Sequence, residues 1–171
     1  MPRRFLRTVG LSFAILASVT SGIVRAQQES TSEESAHQPS HGHHKNVIGF
    51  FVGEAYEDGG SRDNGLALGL EYERRLSARF GIGALVEHTY GDLAVLVYAV
   101  SFAYHKGPWK LYAAPGIEET DSGNERMLRL GIEYGFSVGE WEISPQFDVD
   151  LVDREAEVFV FGVTFARGFN F

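Results

Sequence analysis

The chain has 171 residues, 44% of them hydrophobic, no cysteine and a formal charge of -8. The length fits one domain, and the acidity excludes a nucleic-acid partner, whose binding rests on neutralising phosphates with Lys and Arg. Without cysteine, neither a disulfide framework nor a thiolate metal site can form.

The chain begins Met1-Pro2-Arg3-Arg4-Phe5-Leu6-Arg7, continues through an apolar run from about Val9 to Val24, and reaches Val24-Arg25-Ala26. A basic start, an apolar stretch and a small-residue site predict an export signal over residues 1–26, cleaved after Ala26. The run is shorter than the ~20 apolar residues of a spanning helix, and Ser12, Ser18, Thr20, Ser21 and Gly22 weaken it further. Loss of Arg3, Arg4, Arg7 and Arg25 takes the charge from -8 to -12. Residues 27–45 are polar, rich in Ser, Glu and His, and lack apolar periodicity, as in a disordered linker. His37, His41, His43 and His44 carry metal-ligand chemistry, but the segment fixes no geometry, and a solvated linker is the plainer reading.

From Asn46 onward apolar residues alternate with small or polar ones, and turn-like clusters recur at intervals suited to strands of about ten residues. The strands expected are Val47–Glu57, Gly65–Leu76, Arg79–Tyr90, Leu93–Lys106, Trp109–Glu119, Arg126–Val138, Trp141–Val152 and Glu157–Phe171. The connections hold Gly, Asn, Asp and Pro, which suit tight turns. The pattern predicts an all-β fold over residues 46–171: an antiparallel up-and-down barrel of about eight strands.

The alternation assigns faces. Leu66, Leu68, Leu70, Tyr72 and Leu76 oppose Ala67, Gly69, Glu71, Glu73 and Arg75. Phe80, Ile82, Ala84 and Val86 oppose Gly81, Gly83, Glu87 and Thr89. Leu128, Leu130, Ile132, Tyr134, Phe136 and Val138 oppose Arg129, Gly131, Glu133, Gly135 and Ser137. Trp141, Ile143, Phe147, Val149 and Leu151 oppose Glu142, Ser144, Gln146, Asp148 and Asp150. Phe159, Phe161, Val163, Phe165, Phe169 and Phe171 oppose Val158, Val160, Gly162, Thr164 and Ala166. The first strand breaks the pattern at Phe50-Phe51-Val52, and the fourth is apolar on both faces, so neither is oriented.

A soluble barrel turns its apolar face inward around a ligand, whereas a membrane barrel turns it outward. The first alternative has Gly139-Glu140-Trp141 and Gly107-Pro108-Trp109 in its favour, which spell the Gly-x-Trp of lipocalins but lie far downstream of that family's position. Three features favour the membrane version. The non-apolar face is rich in Gly, Ala and Ser, as a crowded narrow interior requires. Aromatics gather near strand ends at Tyr72, Phe80, Tyr104, Trp109, Tyr134, Phe136 and Trp141, where an interfacial girdle would sit. The last residue, Phe171, lies on the apolar face. Basic Arg74, Arg75, Arg79, His105, Lys106 and Lys110 cluster at one set of turns, expected to be periplasmic. Glu57, Asp58, Asp63, Asp92, Glu119, Asp121, Glu125, Asp153 and Glu155 lie at the opposite set.

In that register Glu71, Glu73, Arg75, Glu87, Arg129, Glu133, Asp148 and Asp150 project into the lumen. An eight-stranded lumen is just wide enough for its own side chains, and buried charges must pair, so these residues read as a structural polar plug. The functional alternative is a narrow ion-conducting pore in which Arg75 or Arg129 exchanges carboxylates.

On these features the chain resembles the small outer-membrane β-barrel proteins of Gram-negative bacteria, with OmpA-like and OmpX-like eight-stranded domains. Thr164, Ala166, Phe169 and Phe171 match that group's C-terminal assembly signal, with Ala166 where the group usually has Gly. The resemblance implies insertion by the outer-membrane assembly machinery after export, contact with outer-membrane lipids and lipopolysaccharide, no cofactor, and a structural or envelope-interaction role. Deleting Phe171 is then expected to lower insertion, measured as heat-modifiable protein in outer-membrane fractions. Outer-membrane lipid A deacylases are enzymes of similar size that use Ser, His and an acid. Here His88-Thr89-Tyr90 lacks the Ser two places after the His, and His105-Lys106-Gly107 has no nucleophile, so no enzyme is expected.

Overall fold

The computed structural model describes residues 45–58, 63–153 and 156–170. They form nine β segments: β1 (Asn46–Asp58), β2 (Asn64–Arg75), β3 (Phe80–Gly91), β4 (Val95–Lys106), β5 (Trp109–Thr120), β6 (Gly123–Tyr134), β7 (Phe136–Val138), β8 (Trp141–Val152) and β9 (Ala156–Phe169). Every pairing is antiparallel, and the order β6-β5-β4-β3-β2-β1-β9-β8 closes on itself because β8 also pairs with β6. Both β6 and β7 run along β8, so they are one stave interrupted at Gly135. The result is the expected closed all-β barrel of eight staves, with no helix among the described residues.

Two interruptions in the hydrogen-bond ladders have a common cause. The β6–β8 register ends at Glu133↔Gln146 and resumes at Phe136↔Ile143, and Pro145 lies in the gap. The β4–β5 register breaks between Ala99↔Gly116 and Phe102↔Ala113, and Pro115 lies in that gap. Proline has no N–H for the ladder. The sixth strand begins at Gly123, earlier than the expected Arg126, because Asp121-Ser122 alone turns the chain and Gly123 takes a φ of 129°.

One end of the barrel, the lower, carries two two-residue connections. Gly107-Pro108 joins Lys106 to Trp109 and Gly139-Glu140 joins Val138 to Trp141, with φ of 60° at Gly107 and 63° at Gly139. A glycine at positive φ in the first of two loop positions matches the right-handed twist of a hairpin, and Pro108 presets the second. The third lower connection is longer, and Ser77 Oγ accepts from the amides of Arg79 and Phe80 at 3.2 and 3.0 Å.

The two unoriented strands now have faces. In β1, Phe50 points outward at 45% exposure and Phe51 inward at 4%. In β4, Val95, Val97, Ala99, Ser101, Ala103 and His105 point inward, while Tyr98, Val100 and Phe102 point outward. β4 is apolar on both faces because the upper lumen is itself apolar: Phe51, Ala55, Ala67, Leu93, Val95, Val158 and Val160 fill it. A second apolar group, including Val97, Ala114, Met127 and Val152, lines the wall on the β4–β5–β6–β8 side. Charged side chains occupy the rest.

Candidate functional site

The interior is organised around two cations. Arg129 on β6 is 1% exposed. Its Nε and Nη2 donate to both oxygens of Asp150 at 2.7 Å, and Nη1 and Nη2 donate to Glu87 at 3.0 and 2.8 Å. Asp148 lies 3.9 Å from Nη1. Asp150 is the direct cross-strand partner of Arg129, so that contact is local. Glu87 is on β3 and is reached across the lumen. The guanidinium fork suits such bidentate pairing, and here it ties staves that are not neighbours.

Below it, Lys110 on β5 forms ion pairs with Glu133 Oε1 at 2.6 Å, Glu71 Oε2 at 3.3 Å and Glu73 Oε2 at 3.8 Å, the second of them a hydrogen bond. Glu73 Oε1 also pairs ionically with Arg75 Nε and hydrogen-bonds His105 Nε2, both at 2.8 Å. Glu133 is the cross-strand neighbour of Lys110, whereas Glu71 and Glu73 come from β2. A cavity of about 10 Å³ remains among Val47, Glu71, Glu73, Arg75, Lys110 and Glu142, room for about one water.

Tyr112 joins the two groups. Lys110 Nζ lies 5.1 Å from the centre of its ring, a cation–π contact. Its hydroxyl donates to Asp148 Oδ1 at 2.6 Å and accepts from Gln146 Nε2 at 2.8 Å. Gln146 Nε2 also donates to Asp148 Oδ2 at 2.7 Å, and its Oε1 accepts from Thr164 Oγ1 at 2.6 Å. Gly131 makes the crossing possible. It stands in register between Tyr112 and Asp148, and a Cβ there would collide with the Tyr112 ring and with Asp148 Oδ1.

All eight charges expected in the lumen lie on the inward face. The structure gathers Glu87, Arg129, Asp148 and Asp150 in the upper group, and Glu71, Glu73, Arg75 and Glu133 in the lower one. Sequence reading missed Lys110, His105, Tyr112 and Gln146 as parts of this network. Lys110 and His105 lie near the lower turns, where the basic residues are expected, and both turn inward. The two-residue spacing of Lys110 and Tyr112 is the signal that puts both on one face of the fifth strand.

Of the C-terminal residues, Thr164 is fully buried and held by Gln146, and Ala166 is 4% exposed on the same inward face. Phe169 pairs with Asn46 of β1 at the closing seam. Phe171 lies outside the described residues, as do the residues expected to form the signal and all but Lys45 of the linker. His88 is half-buried on the outward face, with its ring 4.1 Å from that of Tyr90 and no hydrogen bond to Nδ1. His105 is committed to Glu73. Among the described residues no three His, Asp or Glu side chains are placed to hold a metal ion.

The outward face is the opposite of a soluble protein's surface. Phe80–Tyr104, Trp109–Tyr134 and Tyr134–Phe136 make ring contacts at 5.5, 4.7 and 4.8 Å near the lower turns. Tyr72 donates to Asn46 Oδ1 at 2.8 Å. Arg167 lies over the Trp141 ring and pairs with Glu140. The aromatic residues expected to form a girdle therefore share one end of the barrel.

No protein-family model and no curated protein matches the chain. Solved structures do. Ail, the attachment invasion locus protein of Yersinia pestis, aligns with a TM-score of 0.53 at 10% identity, covering 74% of this chain and 99% of that one. The same protein in complex with the heparin analogue sucrose octasulfate gives 0.50 at 11% identity, covering 72% and 97%. Neisserial surface protein A gives 0.49 at 8% identity, covering 73% and 97%. The shared property is the fold, an eight-stranded barrel like those of outer-membrane proteins.

Proposed function

We propose that the chain is an integral outer-membrane barrel with a structural or envelope-interaction role and no turnover. The observation that carries this is the inversion of the usual burial. Among the described residues twenty-five large hydrophobic side chains, from Ile48 to Phe165, are 36–65% exposed around the outside, while Arg129, Asp148 and Asp150 are at most 2% exposed within. Water would penalise that outer surface as a contiguous apolar patch far beyond the few hundred Å² a soluble monomer tolerates. Acyl chains would not. The likeness to outer-membrane barrels supports the same reading.

The filled lumen supports a plug. Most of its charges are paired, its upper end is largely apolar apart from the buried Glu118, and among the described residues neither part leaves the internal ligand cavity that a soluble lipid carrier would need. The upper connections are acidic, with Asp63, Asp92, Asp121 and Asp153 among their residues. Ail is described in complex with a sulfated sugar, but an acidic rim suits cations instead, including divalent ions shared with lipopolysaccharide phosphates.

The deciding experiment is cell fractionation with a carbonate wash and a heat-dependent gel shift. Protein retained in outer-membrane pellets and shifted by boiling is the expected result, and protein dissolved in periplasmic extract without detergent would refute the reading. Bilayer recordings of the purified barrel are expected to be silent. Steady conductance would favour the narrow pore instead.

A further inference from the structure

Among the described residues the outward face carries a shallow depression. Ala113 is a small residue among large ones, and Phe102, Leu111, Leu130, Ile132 and Phe147 surround it to leave a groove of about 430 Å³. Just above it the ladder between β4 and β5 is broken at Pro115. Below it the cross-strand pairs on this face step down from Phe102↔Ala113 through Tyr104↔Leu111 to Lys106↔Trp109. Lys106 is exposed, lies on the outward face, and makes no hydrogen bond or ion pair among the described residues. Trp109 packs its ring on Tyr134 beside it. A strand advances about 3.4 Å per residue at a tilt near 45°, so Lys106 lies about 10 Å deeper toward the lower edge than Phe102. That separation fits within one leaflet's hydrocarbon, about 15 Å.

We propose that this groove holds one acyl chain of a phospholipid in the lower leaflet, with its phosphate on Lys106. The inference rests on the membrane reading above. In hydrocarbon no hydrophobic force draws a chain into a groove, so a resident lipid is distinguished from its exchanging neighbours only by close dispersion contact and a headgroup bond. The groove supplies the first, since a chain lying in it meets Ala113 at its floor and the larger Phe102, Leu130 and Phe147 to either side. The unpaired ammonium beside an interfacial Trp supplies the second.

Native mass spectrometry tests this on the full chain released from nanodiscs of phosphatidylethanolamine and phosphatidylglycerol. The wild-type barrel is expected to retain one phospholipid. Ala113→Phe, which fills the groove from outside, should lower the retained fraction about tenfold, the scale of a lost packing site. Lys106→Gln should lower it about fivefold. Ala84→Phe, on the outward face of β3 away from the groove, should match wild type. A gel shift confirms that each variant folds, and because Lys106→Gln removes only an exposed charge, it keeps the test alive should the Phe variant misfold. Equal retention across all variants, or no retained lipid in wild type, would overturn the site and leave the membrane reading standing. A protein that carbonate releases from the membrane would instead sink the membrane reading itself.

Discussion

The two halves of the lumen solve the same packing problem by different physics. In the upper half Phe51 rests in a saddle of glycines, its ring over Gly53 and Gly162 and its Cβ near Gly69, and neighbouring Val and Ala complete the fill. Dispersion and exclusion of water hold it. In the middle and lower parts the fill is ionic, and each cation reaches a carboxylate on a distant stave: Arg129 to Glu87, Lys110 to Glu71. An apolar fill tolerates the loss of one member as a void. An ionic fill does not, because the members left behind are charges without partners. The lower part also borders the small cavity beside Glu142, so its charges have access to water that Arg129 lacks.

The largest effect should come from the cation with no such access. Arg129→Leu leaves Glu87, Asp148 and Asp150 facing one another, and breaking a buried pair costs about 3–5 kcal/mol. Urea unfolding of the refolded barrel, followed by the gel shift, measures it. Replacing Arg129, Glu87 and Asp150 together with Leu should recover most of the loss, since an apolar triad of similar volume is often neutral or stabilising. Failure of the triple variant to recover would mean that the ion pairs specify the barrel and do more than fill it. Phe51→Ala is the apolar counterpart. It should cost about 3 kcal/mol, near the low end for a buried aromatic, because water can reach a void at the upper mouth. A loss larger than that of Arg129→Leu would reverse the ranking of the two halves.

Much of this contrast could be read from the sequence, because a two-residue period forces alternate side chains to opposite faces whatever the register. The lumen positions of Glu87, Arg129, Asp148 and Asp150 followed from that alone. Which of them touch did not. Glu87 and Arg129 are 42 positions apart, and their meeting depends on shear and on barrel closure, which the alternation does not encode. Phe50 and Phe51 were ambiguous because both faces of β1 are apolar there, one against the upper fill and one outward. Nearness to a turn does not tell whether Lys110 and His105 point into the lumen or outward. Strand parity was the stronger constraint, and it places both inside.

A smaller effect is expected at the crossing between the groups. Gly131→Ala puts a methyl against the Tyr112 ring and Asp148. The ring must shift, so overpacking should cost about 2 kcal/mol. It should also weaken the Tyr112–Asp148 bond, seen as a change in tyrosine absorbance. An unchanged unfolding midpoint would mean that the lumen yields more readily than a close-packed core.

The smallest effect expected is that of Tyr112→Phe, and it bears most directly on whether the lumen is one network or two. The substitution keeps the ring, and with it the contact to Lys110. It removes the hydroxyl that donates to Asp148 and accepts from Gln146, but Gln146 still donates to Asp148 Oδ2. One neutral hydrogen bond with a surviving neighbour is worth about 1 kcal/mol. If the Arg129 and Lys110 groups are independent, a double variant of Lys110→Met and Arg129→Leu should lose the sum of the single losses within about 0.5 kcal/mol, and Tyr112→Phe should not change that sum. A larger departure would show that Asp148, which touches both Tyr112 and Arg129, couples the groups. The ionic part of the lumen would then respond as one unit, and the boundary between the halves would lie above Arg129.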